Sequence, residues 1–411
     1  MKNINERFLC LWFIAYMSLF CLPAHAAGEA LREFVYRGLE QARQQINDGN
    51  YQQAHESLAK WHKRSGLKSY ERAQIWNLTA FLYYNESELP QAILYYQKVL
   101  DEAEAPISLK QSTMRTLAQL YYAEENYRQA IKFIDQLGQD QIINSPDLLE
   151  VKVYSLYQLE LYPETLKSLD VLLSSFSSRI PGKQENWLNL KQSCYLALND
   201  YESALKVVKK LSEKFPKTRY LRSLAALYSQ TGRSREQLAV LEGLYTAGYL
   251  VDEADLDLLV LLYLKHGLPE RSAGLLQTQF KAEMLKPTQK RERQLVNSLI
   301  AARDIDGAME RLDRLLKREF SAEWLALKVR LLAKQNEWQV LVDTYEKIKS
   351  RETGRSQEFA EDIKLLYAVA LFNTTRFVDA QKVLSELARN PKYTEQAQQW
   401  LSYVRAQINS N

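Results

Sequence analysis

The sequence predicts an all-α protein built as an array of stacked helix hairpins. Three observations predict it. Gly and Pro number only 13 and 10 in 411 residues, under 6% of the chain. Average usage is nearer ~12%, so folds built on many tight turns are excluded. A polar turn, then an aromatic residue or Leu, two polar residues and Ala recurs at 46–54, 84–92 and 122–130. Ala54, Ala92 and Ala130 thus stand 38 residues apart, twice. Between the turns, apolar residues recur at helical spacing, as at Leu221, Leu224, Ala225 and Tyr228. One hairpin cannot bury its apolar face alone, so each unit needs its neighbours.

Composition narrows the function classes. At 46% hydrophobic and 25% charged the chain is not disordered. The net charge of +4 comes from 54 basic and 50 acidic residues, a near-balance. The densest basic runs are Lys206, Lys209, Lys210, Lys214 and Lys217, and then Arg311, Arg314, Lys317 and Arg318. Both read as solvated helix faces rather than nucleic-acid or lipid patches.

The chain opens with Lys2 and Arg7, an apolar stretch at 8–22, Pro23, and the small-x-small triplet Ala24-His25-Ala26. That is the pattern of an export signal cleaved after Ala26. The 15-residue apolar run falls short of the ~20 that cross a bilayer as a helix, and an uncleaved anchor is the competing reading. Bulky Phe20 before Cys21 disfavours a lipoprotein signal. Cys10 and Cys21 leave with residues 1–26, so the mature chain keeps only Cys194, read as a buried small hydrophobe. Export without disulfides points to a bacterial periplasm.

The repeat frame then runs through two stretches. The clearest repeats fall in 27–173, and more degenerate ones continue through 185–391. The small residue of each unit is assigned to positions 54, 92, 130, 165, 204, 237, 273, 308, 341 and 380, on average about 36 apart. Polar intervals at 174–184 and 350–357 are candidate hinges. Residues 392–411 form a capping helix and tail, the helix at 394–407, with Ala397, Trp400, Leu401 and Val404 on one face. Tyr83, Tyr96, Tyr121, Trp338 and Phe377 hold frame positions and are assigned to the core.

The spacing of Trp76, Ala80, Tyr83, Ala92, Tyr96 and Val99 resembles the tetratricopeptide repeat, a helix–turn–helix unit of ~34 residues. Met114, Leu117, Ala118, Tyr121, Tyr127, Ala130 and Ile134 repeat it, as do Tyr367, Ala368, Leu371, Phe377, Ala380 and Leu384. The resemblance implies a right-handed superhelical solenoid of about ten hairpins with a C-terminal capping helix. It also implies that the first helix of each unit lines a groove for partner segments. Mapped onto this chain, that face carries Asn77, Phe81, Tyr84 and Asn85, then Arg115, Gln119 and Tyr122, then Tyr154, Tyr157 and Gln158. Tyr, Arg and amide side chains are favoured at protein interfaces. The Lys- and Asn-based clamp of chaperone-binding members is not reproduced.

Catalytic chemistry has no residues to stand on. The chain has no G-x-S-x-G, no G-x-G-x-x-G, no phosphate loop and no H-E-x-x-H. His55 and His62 lack a third ligand at metal-site spacing. Acidic pairs such as Glu124-Glu125 and Asp255/Asp257 read as solvated carboxylates. The expectation is a non-enzymatic scaffold with no catalytic, cofactor-binding or metal residues, and with protein partners rather than nucleic acid or a small-molecule substrate.

A narrower resemblance rests on three pieces, the segments from Arg32 to Ala42, from Ser69 to Leu78 and from Ala397 to Tyr403. They are similar to exported tetratricopeptide proteins encoded beside TonB–ExbB–ExbD energy-transduction systems in marine gamma-proteobacteria. That implies a periplasmic accessory of TonB-dependent uptake, with TonB, ExbB or ExbD as partners. The alternative is a scaffold for outer-membrane or peptidoglycan assembly.

Overall fold

A computed structural model describes residues 31–318, 321–351 and 361–410. The expected signal peptide at 1–26 and most of the 350–357 interval lie outside the described residues. The described chain is helical, with no strand among the described residues. It divides into two compact units, one ending at Gly232 and the other beginning at Arg233.

The first unit holds five antiparallel hairpins. They are α1 (Glu33–Asn47) with α2 (Tyr51–His62), α3 (Ser69–Asn85) with α4 (Leu89–Asp101), and α5 (Ile107–Ala123) with α6 (Tyr127–Gln136). A five-residue helix, α7 (Gln139–Ile143), precedes α8 (Pro146–Gln158) with α9 (Tyr162–Phe176) and α10 (Pro181–Ala197) with α11 (Tyr201–Lys214). Helix α12 (Thr218–Gln230) packs on α11 and closes the unit. The second unit starts with α13 (Ser234–Thr246). Four hairpins follow: α14 (Glu253–Lys265) with α15 (Pro269–Lys281), α16 (Gln289–Ala301) with α17 (Ile305–Arg318), α18 (Ala322–Lys334) with α19 (Trp338–Arg351), and α20 (Glu361–Asn373) with α21 (Phe377–Leu387). Helix α22 (Thr394–Ser410) packs on α21.

One turn design joins the helices of a pair. Gly49, Ser87, Glu125, Glu160, Asn199, Gly267, Arg303, Asn336 and Thr375, one in each hairpin, adopt positive φ between 56° and 76°, and Gly232, after α12, has φ 71°. In the third hairpin Glu125 N–H donates to the Tyr122 carbonyl and Asn126 N–H to the Tyr121 carbonyl. The first and seventh hairpin turns, at Gly49 and Arg303, show the same pair of bonds. This is the left-handed stop that satisfies the last carbonyls of a helix. The residue after it starts the next helix: the Asn126 carbonyl accepts the N–H of Ala130, as the Asp304 carbonyl accepts that of Ala308.

The small residue therefore sits five positions beyond the left-handed residue. Ala54, Ala92, Ala130, Thr165, Ala204, Ala308, Leu341 and Ala380 are fully buried, and Gln237 is 6% exposed. The seventh assignment shifts by one. The Leu268 carbonyl accepts the N–H of Ser272, not of Ala273. Ser272 is fully buried and its hydroxyl bonds that of Ser298 at 2.8 Å. A buried hydroxyl needs such a partner, which lets Ser replace Ala at a close helix contact.

Three further expectations are refined. The 174–184 interval is mostly helical, since α9 runs to Phe176 and α10 begins at Pro181, which leaves only 177–180 between helices. Pro at the first helical position costs no hydrogen bond, so a polar Pro-Gly stretch can open a helix. Of the expected core aromatics Tyr96 is buried, but Tyr83, Tyr121, Trp338 and Phe377 are half-buried against the core clusters. They flank the hairpin interface, and the Tyr121 hydroxyl reaches the Gln97 amide at 2.7 Å. Helix α22 extends to Ser410, three residues past the expected end, and buries Ala397, Leu401 and Val404. Its outward side carries Gln398, Gln399, Ser402 and Arg405, all exposed. Among the described residues no helix is long and apolar enough to cross a membrane.

Candidate protein-binding face

Polar contacts stitch the first helices of successive hairpins together. In the first unit Lys183 and Trp187 of α10 donate to Glu150 of α8 at 2.6 and 2.8 Å. Glu185 of α10 takes Lys217 at 2.7 Å and the Arg219 and Tyr220 side chains of α12. In the second unit Arg291 of α16 forks onto Asp257 of α14, both bonds at 2.8 Å. Asp257 is therefore engaged rather than freely solvated. The fork holds the Arg291 guanidinium well above its ordinary range, the Asp257 bond being the largest cause. Arg311 likewise leaves the solvated run to pair with buried Glu292.

The ten residues assigned from sequence lie on α3, α5 and α8. The structure uses several of them at home. Tyr84 and Tyr157 are half-buried against the core cluster, and burial pushes the Tyr84 hydroxyl up from its ordinary pKa. Phe81 packs on the N-terminal cluster. The Asn85 amide donates back to the Phe81 carbonyl at 2.7 Å. Arg115 is bonded to Gln141 of the inserted α7. Tyr122 packs against Tyr127, and Tyr157 against Tyr162, ring centroids 5.8 Å apart in each pair. Asn77, Gln119 and Tyr154 are half-buried, and Gln158 is exposed. Helix α5 packs on α8, which brings the second and third groups onto neighbouring helices.

A second face, in the second unit, was not assigned from sequence. Helices α16 and α18 flank an open recess of 390 Å³ whose walls include Arg293, Asn297, Ala326, Leu327 and Arg330. It adjoins another of 270 Å³ lined by Gln289, Lys290 and Gln294 besides Arg293 and Asn297. Glu323 orders the floor: it accepts from Gln289 Nε2 and Arg293 Nη2, each at 3.0 Å. Arg330 pairs with Asp362 of α20 at 2.5 Å. The Gln294 side-chain oxygen is shielded from solvent and has no hydrogen-bond partner among the described residues. Asn297 is exposed.

The signal for this face was in the frame. Asn77 and Phe81 stand 15 and 11 residues before Ala92, and Arg115 and Gln119 stand so before Ala130. Arg293 and Asn297 hold the same places before Ala308, as Ala326 and Arg330 do before Leu341. Extending the stripe beyond the best-matching repeats finds the recess. Among the described residues no group of His, Cys, Asp and Glu is arranged to hold a metal ion.

No protein-family model matches the chain, and no curated protein matches its sequence. Solved structures give distant matches. A tetratricopeptide repeat protein from Parabacteroides merdae is 15% identical at a TM-score of 0.36, covering 64% of this chain and 98% of that one. MamA of strain AMB-1 is 14% identical at 0.35, covering 44% and 90%. YrrB, described as a TPR protein with an unusual peptide-binding site, is 17% identical at 0.33, covering 41% and 83%. At such TM-scores the fold is read from the chain itself: nine hairpin turns of one design and the buried residues that follow them make it an all-α protein of tetratricopeptide-like helix hairpins.

Proposed function

We propose that the chain is a protein-binding scaffold whose second unit grips a polypeptide segment in the recess between α16 and α18. The observation that supports this is the recess itself, an open trough on the first helices of neighbouring hairpins. Its walls offer what a peptide backbone needs. Asn297 carries an amide that both donates and accepts, and Gln289 and Lys290 of the adjoining recess extend the polar wall. Ala326 and Leu327 give short apolar contact. Glu323 balances Arg293 and Asp362 balances Arg330, which leaves Lys290 as the surplus charge in the lining. A polar, near-neutral segment suits this wall better than a strongly acidic one.

The finer reading is a periplasmic accessory of a TonB-dependent uptake system, supported by the export-type N-terminus and the narrower resemblance. A photo-crosslinking residue at Asn297, and another at Lys206 on a solvated helix face, would be placed in the full chain in cells. The expected result is a discrete adduct at 297 and none at 206, with TonB, ExbB or ExbD in the adduct. Assembly factors in their place would sink the TonB reading alone. Equal, diffuse labelling at both positions would sink the scaffold reading.

A further inference from the structure

The first two hairpins carry a cluster the recess does not use. The His62 ring, at the end of α2, lies 4.7 Å from Trp76 of α3 and stacks on Tyr95 of α4 at 5.9 Å. Lys98 of α4 places its Nζ 4.8 Å from the centroid of Trp76 and 4.3 Å from that of Tyr95. An imidazole and an ammonium therefore share the same two rings.

The hydrogen bonds fix the tautomer. The buried Thr79 hydroxyl donates to the Ile75 carbonyl at 2.8 Å. A hydroxyl has one proton, so toward His62 Nε2, at 2.9 Å, it accepts. The neutral ring thus carries its proton on Nε2 and is basic at Nδ1.

The surrounding charges are committed elsewhere. Glu102 accepts from Trp76 Nε1 at 3.3 Å, but Arg72 forks onto it at 2.9 and 2.8 Å. Glu86 pairs with His55 at 2.8 Å, next to Tyr83, one ring beyond Tyr95. On the α1 side, Arg64 lies over Phe34 and Trp61, and Arg32 over Phe34. Lys98 is the charge that meets His62 across the rings.

We propose that His62 is a proton-operated joint between the first two hairpins: a proton on Nδ1 sets a second cation against Lys98 on one ring pair and loosens the end of α2 from α3 and α4. Burial first, and Lys98 second, hold the His62 pKa below its ordinary 6.5. The sign follows. The unfolded chain takes the proton at higher pH than the folded one, so the contribution of this site to stability is full above 6.5 and declines as pH falls through the folded value.

The test is an NMR titration of the histidine ring C–H signals in the full chain, with His62→Gln to identify the resonance. The expected midpoint is below 6.5. Lys98→Met keeps the aliphatic stem and should raise the midpoint toward 6.5, by removing the smaller of the two causes. Amide exchange in the last turn of α2, corrected for intrinsic rates, should quicken below the midpoint in the parent and Lys98→Met chains. It should show no step in His62→Gln. A midpoint at or above 6.5, no response to Lys98→Met, or no exchange step in the parent chain would each overturn the proposal. Should His62→Gln fail to fold, the Lys98→Met comparison decides.

Discussion

The indole of Trp61 occupies the place where a side chain on Gly38 would stand. A Cβ on Gly38 would lie 2.1 Å from Trp61 Cζ2 and 2.6 Å from Cε2. Helix α1 carries the glycine and helix α2 the indole, so the pair sets how closely the first hairpin closes. Gly costs a helix interior about 1 kcal/mol relative to Ala, and here close approach outweighs that. Gly38→Ala should destabilise the first unit by about 1–3 kcal/mol, the usual cost of overpacking. Urea unfolding checks it; a raised midpoint would refute it.

The left-handed turn position gives a prediction of opposite sign. Thr375 is β-branched and holds φ at 60°. That conformation costs an L-residue roughly 1–2 kcal/mol and Gly almost nothing. Thr375→Gly should stabilise the second unit by about 1 kcal/mol, and Gly49→Ala should destabilise the first by a similar amount. Thermal melts of the two variants should move in opposite directions.

Buried Glu71 links the start of α1 to α3. It accepts from Arg32 Nε at 2.7 Å and from the Lys68 N–H at 2.9 Å. The Arg32 bond, the largest cause, holds its carboxyl at about 2 instead of 4.5. A carboxyl held below its unfolded value contributes fully above 4.5, and that contribution is lost as pH falls toward about 2. Glu71→Gln should flatten this acid limb of the stability curve. Arg32→Met should lower stability at neutral pH, because it leaves a shielded carboxylate short of a partner.

Cys194 is fully buried on α10, and burial pushes its thiol up to about 11. The reactive species is the thiolate, so the folded chain should resist alkylation at neutral pH. Labelling should follow unfolding, with protection lost at the denaturant midpoint of the first unit. Rapid modification of the native chain would contradict this burial.

In the recess, Asn297→Ala should leave stability within about 0.5 kcal/mol, since the side chain is exposed. It should weaken binding of the partner segment by about tenfold or more, as loss of a central contact does. Calorimetry with the peptide recovered from the crosslink measures both. Asn85→Ala is the control, because that amide is tied to its own helix.

Most of the fold could be read along the chain, since a hairpin is made by neighbours in sequence. The turn, its left-handed residue and the small residue five places on are all local. Where the reading slipped, the reason was not local: Ser272 looks polar beside Ala273, and only the Ser298 hydroxyl facing it from the next helix shows why it can be buried. The candidate face was less legible. The assigned residues lie on the first helices α3, α5 and α8, but sequence could not say which of them face inward. Tyr84 and Tyr157 are half-buried against the core, and Arg115 is bonded to Gln141 on an inserted helix.

The amino-acid order by itself determined the helices, their pairing and the repeat that stacks them, because helical period and turn chemistry act over a few residues. Only the tertiary structure decided that α16 and α18 stand apart over Glu323, and that His62 and Lys98 meet on one pair of rings. Those relationships join residues some 30 or more apart in the chain. They are set by how hairpins pack, which no local pattern specifies.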